Sequence, residues 1–147
     1  MTNPASFKSE RESISQLLVF QIQDINFGVD ARQVSVIDEL SNINQDEIRV
    51  FKLQEVIPFK NQRIVFHSPK VLMTNVAIGS GAILVEAPDD IIFLNAFQVK
   101  AIPSLVLNLC VSNAIWGVFI RDGRTILVVD VNQLIAEGLK LVENSNI

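Results

Sequence analysis

The chain reads as a mostly-β globular domain. Its apolar residues alternate with polar ones or run in short β-branched stretches, and Gly, Pro, Asn and Asp cut those stretches repeatedly. Helical spacing of apolar residues is sustained only near the end, over Val131, Leu134 and Ile135. With 147 residues the chain has the length of one domain, or of two very small units sharing a core. A composition that is 49% hydrophobic and 19% charged supplies enough apolar surface to build that core.

Residues 1–15 are polar, carry alternating charge and show no period, so they are expected to be a solvated, flexible tail outside the fold. Gln16–Gln23 follows, with Leu18, Phe20 and Ile22 alternating with Val19, Gln21 and Gln23, the two-residue period of a half-buried strand. Asp24-Ile25-Asn26 supplies turn residues and Phe27-Gly28-Val29 resumes the alternation, which predicts a hairpin. Asp30 stands three residues before Gln33, and Val34 and Ile37 are apolar, so Asp30 is expected to cap one or two helical turns with Gln33 reaching back. Ser41–Asp46 is a loop by composition, Ile48–Phe51 a strand, and Leu53–Ile57 a helical turn stopped by Pro58. Arg63–His67, Val71–Ala77 and Ala82–Glu86 are apolar runs separated by Pro69 and by Gly79-Ser80-Gly81, and predict a meander of strands.

Ile91–Leu94 and Val99–Pro103 are short extended pieces. Ile115–Ile120 and Thr125–Val129 flank Arg121-Asp122-Gly123-Arg124, and Asp-Gly between two apolar runs is a strong hairpin signal because glycine accepts positive φ. Asp130 with Gln133 repeats the Asp-x-x-Gln start, ahead of a final helix through about Leu141. Strand, Asp cap and short helix therefore occur twice. The ordered domain is expected over residues 16–141, with 142–147 as a flexible end.

Composition excludes several functions. Twelve Lys and Arg against sixteen Asp and Glu give a net charge of −4, which repels nucleic acid and anionic lipid. Apolar runs of four or five residues fall far short of the ~18 needed to span a bilayer, so no membrane insertion is expected. The start, MTNPASFKSERES, lacks the apolar stretch of an export signal and Cys110 has no partner for an intrachain disulfide, so the cytoplasm is the expected location. One His and one Cys leave almost nothing for a zinc site or a nucleophile–base pair. No catalytic residue, metal or cofactor is expected. Gly79-Ser80-Gly81 lacks the Lys-Ser/Thr of a phosphate loop and reads as a turn. Glu86, Asp89 and Asp90 form an acidic cluster, but Pro88-Asp89-Asp90 is ordinary turn chemistry. His67 reads as a packed or surface ring, Cys110 as a small buried hydrophobe, and Trp116 as core in preference to an interface anchor.

These pieces resemble the CheW-like coupling domain of bacterial chemotaxis systems. Gly81–Glu86 followed by Asp89-Asp90-Ile91-Ile92 looks like that family's strand entering an acidic, valine-rich segment, and Val99-Lys100-Ala101-Ile102-Pro103 resembles its extended piece ending in proline. Ala114–Ile135 is similar to the closing hairpin and helix, including Gly117, Asp122-Gly123 and Asp130. Leu18-Val19-Phe20 leading to Phe27-Gly28-Val29-Asp30 resembles the opening hairpin. The match spans most of residues 16–140, with one gap: the family's Asn-Leu-Arg-Gly strand is absent between Glu39 and Arg49, and Val36 stands where a glutamate is common.

The resemblance implies two small intertwined β-barrel subdomains with short helices and a shared core, and a diverged member with a shortened first half. It implies a non-enzymatic adaptor that couples the regulatory domain of a histidine kinase to the cytoplasmic tip of a chemoreceptor through protein–protein contacts. Val34 and Val36 carry over as contact positions from the matching corner. Ile37 joins them on physical grounds, because three apolar residues on one short helix cannot all face inward. The alternative is a diverged β-barrel domain that binds a small molecule, or self-associates, without coupling a kinase. A missing barrel strand leaves unpaired edge groups, so a homodimer through an exposed strand edge is also expected to be accessible.

Overall fold

The computed structural model describes residues 16–57, 64–74, 81–95, 98–102 and 113–145. The chain opens with a hairpin, β1 (Gln16–Ile22) and β2 (Ile25–Asp30), paired antiparallel from Leu17↔Asp30 to Ile22↔Ile25. The turn is the two residues Gln23 and Asp24, not Asp24–Asn26, and Gln23 takes φ 57 to close it. One 3₁₀ turn, Ala31–Gln33, leads straight into β3 (Val34–Asp38). The expected helix carrying Val34 and Ile37 is thus a strand. Asp30 caps a single turn, and the β-branched residues after it gain more from pairing with a neighbouring strand than from helical winding.

A second 3₁₀ turn, Leu40–Asn42, precedes β4 (Arg49–Lys52) and the short helix α1 (Leu53–Val56), whose start is held by Lys52 N–H donating to Glu55 Oε2 at 3.1 Å. Ile64–Ser68 joins no sheet, against the expected strand there, although Ile64 and Phe66 pack on the core. β5 (Pro69–Thr74), β6 (Gly81–Glu86), β7 (Asp90–Phe93) and β8 (Lys100–Ala101) follow. β9 (Ile115–Arg121) and β10 (Arg124–Val129) make the hairpin expected from Asp122-Gly123, both residues having positive φ (52 and 76) as a type I′ turn demands. The final helix, α2, runs Val131–Ser145, past Leu141. Cys110, Pro58, Pro103 and the Gly79-Ser80 part of the expected turn lie outside the described residues.

Two sheets result, a six-stranded one in the order β7-β1-β2-β10-β9-β8 and a four-stranded one in the order β3-β5-β6-β4. The chain begins in the larger sheet, crosses to build all of the smaller one, and returns, so the two β subdomains are intertwined. Among the described residues no ladder joins the two ends of either sheet. The shared core lies between the sheets, where Leu18, Phe20, Ile22, Phe27 and Val29 meet Phe51, Leu72, Ile83 and Val85 together with Leu134 and Ile135 of α2. Phe20 and Phe27, opposite each other in the hairpin, stack with ring centroids 5.7 Å apart.

The opening strand is buried on both faces. Leu17 and Val19 point away from the shared core into a second cluster with Ile92, Leu94, Phe119, Ile126 and Val128, against which Trp116 is half-buried. Alternation alone had assigned Val19 to the outer face. A third cluster, Val71, Ala82 and Leu84, fills the other side of the small sheet. α2 comes close enough to β4 that a Cβ on Gly138 would sit 2.8 Å from the Phe51 ring.

Candidate docking surface

Parallel pairing of β2 with β10 in the register Val29↔Val129 carries the two Asp-x-x-Gln repeats to the same end of the sheet, side by side. Asp30 Oδ1 accepts from the Arg32 backbone N–H at 2.9 Å, and the Arg32 guanidinium closes on the same carboxylate at 2.8 Å. Asp130 Oδ1 accepts from the Gln133 backbone N–H at 3.1 Å, the ordinary cap of α2. Gln33 does not reach back to its own turn. Its Nε2 donates to Asp130 Oδ1 at 3.1 Å and its Oε1 accepts from Val131 N–H at 3.1 Å, so the side chain of the first repeat completes the cap of the second. Thr74 Oγ1, at the end of β5, donates to Asn132 Oδ1. Asp30, Asp130 and Asn132 are all buried, so a hydrogen bond lost from Gln33 or Thr74 leaves a poorly solvated polar group on the other side.

β3 leaves this braced corner as the edge strand of the smaller sheet. It pairs with β5 at Val34↔Thr74, then Val36↔Met73, Ile37↔Leu72 and Asp38↔Val71, with a register shift that leaves Ser35 extra. Ser35 Oγ donates to the Met73 carbonyl at 3.1 Å. Val36 and Ile37 follow the bulge in regular register opposite Met73 and Leu72, so they face opposite sides of the sheet, and each is 43% exposed because β3 is the edge strand. Val34 is half-buried and packs against the shared core. Of the three positions expected to meet a partner, Val36 and Ile37 are exposed on opposite faces of the edge strand, and Val34 packs inward on the shared core.

At the far end of β3, Asp38 Oδ1 accepts from Asn42 Nδ2 at 2.8 Å and from Glu39 N–H at 2.7 Å. The Asn42 contact first and the backbone one second hold its carboxyl below the ordinary value of 3.8. Beside it Lys70 pairs with Glu39 at 3.4 Å. β3 thus has charged groups at one end and a buried polar brace at the other.

The acidic residues of the sequence have separate partners. Glu86 accepts from the backbone N–H groups of His67 and Ser68 at 2.6 Å each, Asp89 pairs with Arg124 at 3.3 Å, and Asp90 Oδ1 accepts from Ile91 N–H at 2.8 Å. They tie loops to strands, as turn chemistry predicts. Sequence reasoning did not find the Gln33–Asp130 bridge or the exposed Ile91, Phe93 and Ile120 of the larger sheet. The repeated Asp-x-x-Gln was the signal for the first, and it needed the parallel register to become a contact.

A scan against protein-family models and a search of curated proteins both find no match to the chain. Among solved structures, the scaffolding protein TtCheW from Thermoanaerobacter tengcongensis superposes with a TM-score of 0.64 at 12% sequence identity, over 82% of this chain and 92% of that one. Intertwined sheets, closing hairpin, Asp-capped last helix and this superposition lead to one conclusion: the chain has the CheW-like fold.

Proposed function

We propose that the protein is a non-enzymatic adaptor of chemotaxis-type signal transduction, acting in the cytoplasm and coupling the regulatory domain of a histidine kinase to the cytoplasmic tip of a chemoreceptor. The observation that carries this is the β3 surface. Val36 and Ile37 are exposed on the two faces of an edge strand, in a fold shared with a protein described as a scaffold. Covering the exposed part of these two side chains stabilises a complex by about 1 kcal/mol each, enough to anchor a contact and too little to hold one without further area. Val34 anchors the strand in the shared core, and Asp38, Glu39 and Lys70 supply the charges beside it that favour one partner over another. Among the described residues no helix is long and apolar enough to cross a membrane.

The test is capture of the kinase regulatory domain and of receptor-tip fragments from the same cell by the purified full chain. Both are expected to be retained, singly and together. Retention of neither would show that this chain keeps the CheW-like fold without the coupling role.

A further inference from the structure

β3 is tied to the first turn of α2 through both strands of its ladder. Val34 begins β3 and lies opposite Thr74 of β5. Next to Val34, the Gln33 amide donates to Asp130 Oδ1 and accepts from Val131 N–H, both at 3.1 Å. Across the ladder, Thr74 Oγ1 donates to Asn132 Oδ1. One helical turn therefore holds the two strands of a single residue pair from two sides. That turn is itself fixed, since Asp130 N–H donates to the Ala114 carbonyl at 2.8 Å and Val131, Leu134 and Ile135 are buried in the shared core. Beyond the Val34–Thr74 pair β3 has less to hold it: Ser35 is the extra residue of the bulge, Val36–Asp38 pair on one side only, and Val36 and Ile37 are exposed. An edge strand of this kind opens locally at low free energy, so two ties placed beside its bulge weigh heavily in whether it stays closed. Gln33 and Thr74 are both half-buried, away from the exposed side chains that a partner would cover.

We propose that Gln33 and Thr74 are positioning residues for the docking strand: resting on the adaptor reading above, they set the affinity for a receptor tip by keeping β3 closed on β5, so that Val36 and Ile37 meet the partner in one arrangement. Each tie ends on a buried group, Asp130 and Asn132 being 3% and 4% exposed, so losing either is expected to raise local opening of β3 about tenfold and losing both about a hundredfold. The experiment uses the full chain with Gln33→Leu, with Thr74→Val, with the two combined, and with Gly123→Ala as the control, which lowers overall stability by a comparable amount at the opposite end of β10 from Asp130. In residue-resolved amide exchange the β3–β5 ladder amides are expected to exchange about tenfold faster in each single variant and about a hundredfold faster in the double one. In Gly123→Ala they keep the wild-type rate, because an edge strand exchanges by local opening. Affinity for a receptor-tip fragment is expected to fall about threefold in the double variant, where β3 is closed only part of the time, and to stay at the wild-type value in Gly123→Ala. Equal exchange in Gln33→Leu and Gly123→Ala overturns the proposal, and so does wild-type affinity in the double variant. If the double variant does not fold, the two single variants decide by exchange alone. Failure of the wild-type chain to bind any receptor tip overturns the adaptor reading, and the exchange comparison separates that failure from failure of the two ties.

Discussion

Gln33 and Asp130 lie 97 positions apart and share one hydrogen-bonded corner, in which the Gln33 amide both donates to the Asp130 carboxylate and accepts from the Val131 N–H. Replacing Gln33 by Leu keeps the volume and leaves a part-buried helix N–H without that acceptor, so urea denaturation is expected to show a loss of about 1–2 kcal/mol. A Gln33/Asp130 double-mutant cycle should give coupling of about 0.5 kcal/mol or more, where independent sites would give none. Two glycines separate backbone from packing effects. A Cβ on Gly123 meets nothing within 4 Å, but φ is +76, so Gly123→Ala costs about 1–2 kcal/mol through the backbone alone. On Gly138 the Cβ meets the Phe51 ring at 2.8 Å, so Gly138→Ala gains about 1 kcal/mol in helix propensity and loses about 1–3 kcal/mol to overpacking, a net destabilisation. Asp38 supplies a pH test. Its folded carboxyl titrates below the ordinary 3.8, so its contribution is fully present above that value and is lost as pH falls through the lower folded value. Asn42→Ala removes the larger cause, and the Asp38 titration followed by NMR should move up toward 3.8.

Elements differ in how far the sequence announces them. The β9–β10 hairpin was legible because Asp122-Gly123 is a local signal with one physical solution, two consecutive residues at positive φ. α2 was legible for a similar reason, since Asp130, Gln133 and the Val131–Leu134–Ile135 stripe act within one turn of each other. β3 was not. The Asp-x-x-Gln signature is satisfied as well by one 3₁₀ turn as by a helix, and the decision falls to β5, which offers Val34, Val36 and Ile37 a ladder. Exposure of at least one of Val34, Val36 and Ile37 was expected from a short helix, and on the edge strand two of them are exposed. β1 misled in the opposite way, since Leu17 and Val19 look outward only until a second cluster is known to exist behind them. Being exposed, Val36 and Ile37 should accept Lys with stability changes within about 0.5 kcal/mol, measured by thermal denaturation.

The chain's path through both sheets makes the whole molecule one mechanical unit. The smaller sheet is built entirely between the chain's two passages through the larger one, and Gln33, Asn132 and Thr74 pin β2, β5 and α2 to a common corner. An adaptor needs that property, since a patch on a wandering strand would have to be ordered on binding at a cost in entropy. None of this long-range linkage was visible in the sequence, where the partners are scattered, although the family resemblance anticipated the intertwining. The central claim is that Val36 and Ile37 are a docking surface because of where they stand, not because they are apolar. Its most direct test is titration of a receptor-tip fragment against the wild-type chain, Val36→Lys and Val65→Lys, the last being an apolar residue 67% exposed elsewhere on the surface. The account predicts that Val36→Lys weakens binding by about tenfold or more while Val65→Lys leaves it unchanged, both variants being folded by circular dichroism. Equal affinities for all three, or equal losses in both variants, would contradict it.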